Sequence, residues 1–436
     1  MTAHNARTAT TLVGAIALLA VSGTARAASP DAAPHEVSRA RHGVSEVLYD
    51  LGDQVFQPPK SVGYVGSNEL DGVVYFPTDI ARGSHPLIMI EHGIHATCAD
   101  ADASESLEAA KAALAKAEKT GDTAEAERQE EIIAAAGAQL WAWPCAPGVG
   151  RIPSYRGYDY LGRDLASRGF VVVSIGTNGI NATSSGQADT VYKARAALID
   201  RQLTMWRQLS ATGGGSLRGR FVGAGSARPS TVDFQGHVDL TDVGLIGHSM
   251  GGGGVMQEID DSNRASWPQE VSIKAAFNLA PAETWDPVTV TRTPFATMWG
   301  TCDATSAPYF ENAKAGNVAP IHKFTVTGAV HNFYNEQWSP AGGQVMSEDE
   351  SVPGTRPGTC QAQFPDGTFP QPDQRELSER QQRRITQDYV GAYFERYLLG
   401  EKKYDPILRG EARFPGEPNV VDVRFDAGNQ GSQAAG

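Results

Sequence analysis

Seven short stretches of the chain are almost wholly apolar: residues 73–76, 87–90, 171–175, 243–246, 275–279, 295–299 and 324–326. A strand with one face in water alternates apolar with polar side chains, whereas a near-continuous apolar run fits a strand covered on both faces. Between these runs, residues 160–168, 191–209, 251–259 and 383–399 carry helical spacing; in the last, Ile385, Tyr389, Tyr393 and Leu398 recur on one side. Strands alternating with helices predict an α/β fold, a mostly parallel sheet with helices on both faces. The pattern runs from about residue 69 to residue 404, after a leader and first strands at 28–68.

Two regions depart from the alternation. Residues 101–139 are rich in Ala, Glu and Lys and are broken once, at Thr120-Gly121-Asp122, which predicts a helical hairpin inserted between the second and third main strands. Such Ala-rich helices offer little apolar surface, so decoration and a lid or partner-binding role remain equal readings. The tail, 405–436, carries Pro406, Pro415 and Pro418 before a Gly/Ser/Gln/Ala end, and predicts a docked strand or two followed by partial disorder.

At the other end, His4 and Arg7 precede an apolar stretch at 12–21, and Ala25-Arg26-Ala27 supplies small residues for cleavage. That is the layout of a signal peptide cleaved after Ala27, and the stretch is too short to span a bilayer. A secreted, extracellular protein with no integral membrane association is expected. Removing residues 1–27 takes away Arg7 and Arg26 and no acid, which moves the formal charge from −13 to −15. That excess disfavours nucleic acid as a partner. In an oxidising compartment four cysteines read as two disulfides. Of the three pairings available, the sequential one, Cys98 with Cys145 and Cys302 with Cys360, is expected; the first would staple the neck of the hairpin. His92 and His95 have metal-ligand spacing only on a helix, and Gly93 between them predicts a loop, so no metal site is expected.

The chemistry is carried by Asp242 to Gly254, where Gly247-His248-Ser249-Met250-Gly251 is a G-x-S-x-G pattern entered by an apolar run and left by a helical one. Ser249 would sit on the sharp turn between strand and helix with its hydroxyl exposed. A serine becomes nucleophilic only when a base takes its proton, so a histidine and an acid are needed. Asp303 follows the run at 295–299, and His331 follows the run at 324–326. The rival acid is Asp286, one strand earlier; the rival base is His322, which precedes its strand. The order Ser249, Asp303, His331 is the order used by α/β-hydrolases. The backbone amides of Ile94 and Met250 are the expected oxyanion donors, with Gly93 allowing close approach. His248 is expected as a wall of the elbow and, with Trp285, as possible substrate lining; Trp141 and Trp143 are further candidates for an apolar subsite.

On GHSMGGGG at residues 247–254, the His92-Gly93 loop, Asp303 after its strand and His331-Asn332-Phe333, the chain resembles secreted bacterial serine hydrolases of the α/β-hydrolase fold. The resemblance is to cutinase-like polyesterases and platelet-activating-factor-acetylhydrolase-like enzymes. It implies hydrolysis of a small-molecule or polymeric carboxylic ester through an acyl-enzyme, with no cofactor. An amide or peptide hydrolase on the same triad, and a non-catalytic binding protein on the same fold, are the alternatives. The hairpin, the Gly-rich connection at 212–236 and the segment at 339–375 depart from the cutinase-like pattern, so substrate choice does not carry over.

Overall fold

The apolar runs become the strands of one large sheet. The structure is a computed structural model that describes residues 41–226, 228–304, 307–342, 345, 352–361 and 373–429. The expected signal peptide, the leader up to residue 40 and the end of the tail from residue 430 lie outside the described residues.

In chain order the strands are β1 (Val44–Asp50), β2 (Asp71–Pro77), β3 (His85–Glu91), β4 (Val171–Ile175), β5 (Val222–Gly223), β6 (Val238–His248), β7 (Ile273–Leu279), β8 (Phe295–Gly300), β9 (Ile321–Val326), the short β10 (Val352–Pro353), β11 (Thr359–Gln361) and β12 (Asp373–Arg375), and β13 (Val421–Asp426). Ten of them form a sheet in the order β13-β9-β8-β7-β6-β3-β4-β2-β1-β5, and β10, β11 and β12 form a small sheet of their own. Pairing is parallel from β4 through β3, β6, β7 and β8 to β9. It is antiparallel at both flanks, where β2 joins β4 and β13 joins β9. The fold is therefore α/β with a large, mostly parallel sheet.

Helices cover both faces: α1 (Ala101–Thr120) and α2 (Thr123–Leu140) form the hairpin, followed by α3 (Asp159–Ser167), α4 (Asn178–Thr183), α5 (Thr190–Thr212), α6 (Met250–Glu258), the short α7 (Tyr309–Ala313), α8 (Glu379–Leu398) and the short α9 (Asp405–Leu408). The two-residue period of a strand divides the core between the faces. Leu87 and Met89 of β3 join Val74, Val173, Leu245 and the α5 residues Leu198, Leu203 and Trp206. Ile88 and Ile90 join Tyr75, Val172, Phe277 and the α8 residues Tyr389, Tyr393 and Phe394. No helix among the described residues is long and apolar enough to cross a membrane.

β9 starts at Ile321, three residues before the apolar run, because its polar residues find partners inside. His322 Nδ1 donates to the Leu408 carbonyl at 2.9 Å and its Nε2 lies 2.7 Å from the Tyr397 hydroxyl, while Lys323 Nζ donates to Glu311 at 2.7 Å. The sheet also takes β1 from before residue 69 and β13 from after residue 404. Both lie towards its edges and are mostly half-buried or exposed, with only Val47, Tyr49 and Val421 buried, so neither makes a continuous apolar run.

The hairpin is sealed by local chemistry. Asp100 caps α1 by accepting from the Ala103 amide, Gly121 ends it in the left-handed conformation at φ 72°, and Asp122 caps α2 by accepting from Glu125. Ala103, Ala110 and Ala117, seven residues apart, are buried where the helices meet. At the neck, the Thr97 and Cys98 amides donate to the Leu140 carbonyl at 2.9 and 3.0 Å. The Cys98–Cys145 disulfide closes it, and Cys302–Cys360 is the second disulfide.

Candidate active site

β6 runs straight into a turn at Ser249, the residue immediately before α6. Ser249 has φ 55° and ψ −125°, a backbone region that non-glycine residues avoid. The flanking glycines make this turn possible by contact. A Cβ on Gly247 would lie 2.4 Å from the Gly251 carbonyl oxygen, and one on Gly251 would lie 2.3 Å from that of Glu91. The next three glycines seat α6 against its neighbours in the same way, Gly252 on Pro281, Gly253 on Tyr192 and Gly254 on Arg195 and Glu91. The turn is tied to the end of β7, since the Ser249 amide donates to the Leu279 carbonyl at 3.0 Å and the Ala282 amide to the Ser249 carbonyl at 2.9 Å.

The two strands beyond β7 end in loops that carry Asp303 and His331. His331 Nδ1 donates to Asp303 Oδ2 at 2.8 Å, with Asp303 fully buried and His331 nearly so. The loops hold each other, because the Cys302 amide donates to the Ala329 carbonyl at 3.0 Å and the Cys302–Cys360 disulfide sits beside Val330 and Phe333. From α8, Gln382 clamps both polar groups of Val330, accepting from its amide at 2.9 Å and donating to its carbonyl at 2.8 Å. The other acid and base considered lie elsewhere. Asp286 is exposed and pairs with Lys193 at 3.2 Å, and His322 is engaged at the start of β9.

His248, the residue before Ser249, is fully buried with its ring 4.9 Å from the His331 ring and 5.0 Å from that of Trp338. Its Nδ1 lies 2.9 Å from the Tyr158 hydroxyl. Burial, reinforced by the His331 charge, holds the His248 imidazole well below its ordinary value and keeps it neutral. It forms the wall behind the turn, between it and the aromatic core. Trp338 also stacks on His95 at 5.2 Å, so the segment after His331 roofs the loop after β3. Trp285 is 75% exposed and Trp141 37%, whereas Trp143 is held by its indole N–H to the Asp53 carbonyl at 2.8 Å.

The loop after β3 lies directly against Ser249. A Cβ on Gly93 would meet Ser249 Cβ at 2.4 Å and the His248 carbonyl oxygen at 2.8 Å, so only glycine fits. The Met250 amide opens α6, where an N–H has no acceptor within its own helix. Ile94 is the next residue after Gly93. Among the described residues neither amide donates to a backbone carbonyl.

Behind this loop is a buried polar layer. Arg195, on α5 and fully buried, donates to the His92 carbonyl at 2.9 Å and to Asn181 Oδ1 at 2.5 Å. Asn181 Nδ2 donates to the Gly93 carbonyl at 3.0 Å. The Thr177 amide donates to His92 Nε2 at 2.9 Å, which leaves His92 Nδ1–H to donate to the Gly93 carbonyl at 2.9 Å. Burial, helped by the Arg195 charge, lowers His92 to about 3, and burial lowers His95 to about 4. Burial pushes the Glu91 carboxyl up to about 8, even with Arg195 Nη1 at 3.8 Å.

The sequence reading named Ser249, Asp303, His331, Ile94, Met250 and His248, and the fold brings all of them to one end of the sheet, at the C-terminal ends of β3, β6, β8 and β9 and the loops that follow them. It did not single out Arg195, Asn181, Gln382 or Trp338. Arg195 had a visible signal: it falls four residues after Val191 and three before Leu198, on the apolar stripe of α5, where a charge needs a buried partner. No group of three His, Cys, Asp or Glu side chains among the described residues is placed to hold a metal ion. Compared with known proteins, the chain matches no family model and no curated sequence.

Proposed function

We propose that the chain is a secreted serine hydrolase of the α/β-hydrolase fold, cleaving carboxylic esters through an acyl-enzyme. The observation that carries the reading is the combination of Ser249 at φ 55° on a strand-to-helix turn with an Asp303–His331 pair at 2.8 Å on loops from the same sheet end. In the proposed cycle, His331 takes the Ser249 proton as Ser249 attacks the ester carbonyl. Asp303 accepts from Nδ1–H, which fixes the tautomer with Nε2 as the accepting nitrogen and stabilises the imidazolium. The Ile94 and Met250 amides receive the charge that develops on the carbonyl oxygen. His331 then protonates the leaving alcohol, and water, activated by the same histidine, releases the acid. Two disulfides accord with an oxidising compartment.

The test is labelling and turnover. A fluorophosphonate probe should label the wild type and not Ser249→Ala, and p-nitrophenyl acyl esters should be hydrolysed. Ser249→Ala and His331→Ala should each lose several powers of ten, and Asp303→Asn somewhat less. Asp286→Asn as the more damaging acid change would overturn the triad assignment. Faster turnover of peptide anilides than of esters would move the reading to an amide hydrolase.

A further inference from the structure

We propose that Asn181, locked by Arg195, is the positioning residue that aims the Ile94 amide at the substrate oxygen; this rests on the serine-hydrolase reading. The Gly93 carbonyl and the Ile94 N–H belong to one trans peptide unit, so they point in opposite directions. The Gly93 carbonyl is held from behind by Asn181 Nδ2 at 3.0 Å and by His92 Nδ1 at 2.9 Å. Holding that oxygen turns the Ile94 N–H to the other side of the loop. Gly93 itself has Ser249 as its near neighbour.

A carboxamide can face either way, and Arg195 decides which. By donating to Asn181 Oδ1 at 2.5 Å, the guanidinium leaves only the NH2 side to face Gly93. The same guanidinium holds the His92 carbonyl at 2.9 Å, fixing the preceding peptide plane as well. Asn181 cannot drift, because α4 is pinned at its start. Glu69 accepts from the Asn178 and Gly179 amides at 2.6 and 2.9 Å, and Asn68 Oδ1 accepts from Ile180 at 2.9 Å. Every member of this chain is buried, so water does not compete for the Gly93 carbonyl. Both side chains act through the backbone, Asn181 on the Gly93–Ile94 peptide plane and Arg195 on that plane through Asn181 and on the preceding one directly.

The consequence is a defect confined to the oxyanion. Asn181→Asp keeps the size and the acceptor for Arg195 but offers the Gly93 carbonyl an oxygen in place of a donor, which favours rotation of the peptide. Asn181→Ala removes the donor without adding charge. Both are measured in the full chain on matched p-nitrophenyl esters and thionoesters, with kcat and KM separated and circular dichroism confirming the fold. Loss of one oxyanion donor costs about 100- to 1000-fold. A misaimed donor should therefore lower kcat on the oxoester by about 10- to 100-fold with KM little changed. The thionoester, whose sulfur is a poor acceptor, should lose far less, and the acid limb of the pH profile, set by the triad, should not move. Arg195→Lys should shift the ester-to-thionoester ratio in the same direction. Equal losses on both substrates, no loss, or collapse of the fold in both Asn181 variants would each overturn the proposal. A wild type that neither labels with fluorophosphonate nor turns over either substrate would remove the hydrolase reading instead.

Discussion

Adding a single methyl group at Gly93 is the sharpest perturbation of this site. The new Cβ would lie 2.4 Å from Ser249 Cβ and 2.8 Å from the His248 carbonyl oxygen, whereas ordinary contact starts at 3.4 Å. No rotamer relieves this, since both opposing atoms are fixed by backbone. The loop and the turn must therefore separate by about 1 Å. Overfilling a packed contact of this kind costs roughly 1–3 kcal/mol of stability. The larger effect falls on catalysis, because the Ile94 amide moves away with its loop, and a 1 Å misplacement is worth about 100-fold in rate. Gly93→Ala should thus remain folded and lose about two powers of ten in kcat/KM on a short p-nitrophenyl ester. Gly137→Ala is the control. There a Cβ meets nothing within 4 Å, and in the interior of α2 alanine should raise stability by about 0.8–1 kcal/mol without touching activity. The assay pairs ester turnover with thermal melts followed by circular dichroism. A Gly93→Ala enzyme within about threefold of wild type would refute the close approach of this loop to Ser249.

Three further outcomes are expected. Replacing residues 101–139 by a short linker, with Cys98 and Cys145 kept, should leave small-ester turnover within about tenfold, because the chain returns to its own neck; severe loss on every ester in a folded variant would make the hairpin part of the site. Converting Cys302 and Cys360 together to serine opens a link between residues 58 apart and should lower stability by about 4 kcal/mol in the chain-entropy view, read as a shifted urea midpoint; an unmoved midpoint would contradict it. Glu91 is raised from 4.5 to about 8, so the folded state holds a proton that the unfolded chain has released; its contribution is full below pH 4.5 and is lost as pH rises towards 8, at about 1.4 kcal/mol per pH unit. Glu91→Gln should flatten the decline of stability across that window, and an unchanged slope would show that Glu91 is not its source.

The central strands were legible because burial on both faces favours apolar residues, as in the Leu87 to Ile90 stretch of β3 and in β8, every residue of which is buried. The turn at Ser249 was legible because its geometry demands glycine at two fixed spacings. The hairpin could be read from composition and from one break at Gly121. What stayed hidden was pairing at a distance. Asp422 and Arg424 of β13 point to solvent, so that strand carries only a weak apolar signal, and its register against β9 depends on residues about a hundred positions away. Gln382 was silent, since it looks like an ordinary polar residue on a helix until the buried group that it serves is known, and the place of Arg195 on an apolar stripe signalled a buried partner without saying which one.

The placement of β13 also sets an order of events for a chain emerging from the ribosome. β9 delivers the His331 loop, and its outer edge pairs with β13 over Val421–Asp426. Until residue 426 has been made, β9 has no outer neighbour, although the residues of the Ser249 turn and of the rest of the parallel sheet were synthesised earlier. During that interval β9 is an open edge with unpaired amides and carbonyls, the kind of edge on which chains stick to one another. The strand that carries the histidine half of the site thus receives its outer neighbour last in the order of synthesis, and a chain stopped short of β13 would leave the base on a strand with an open edge.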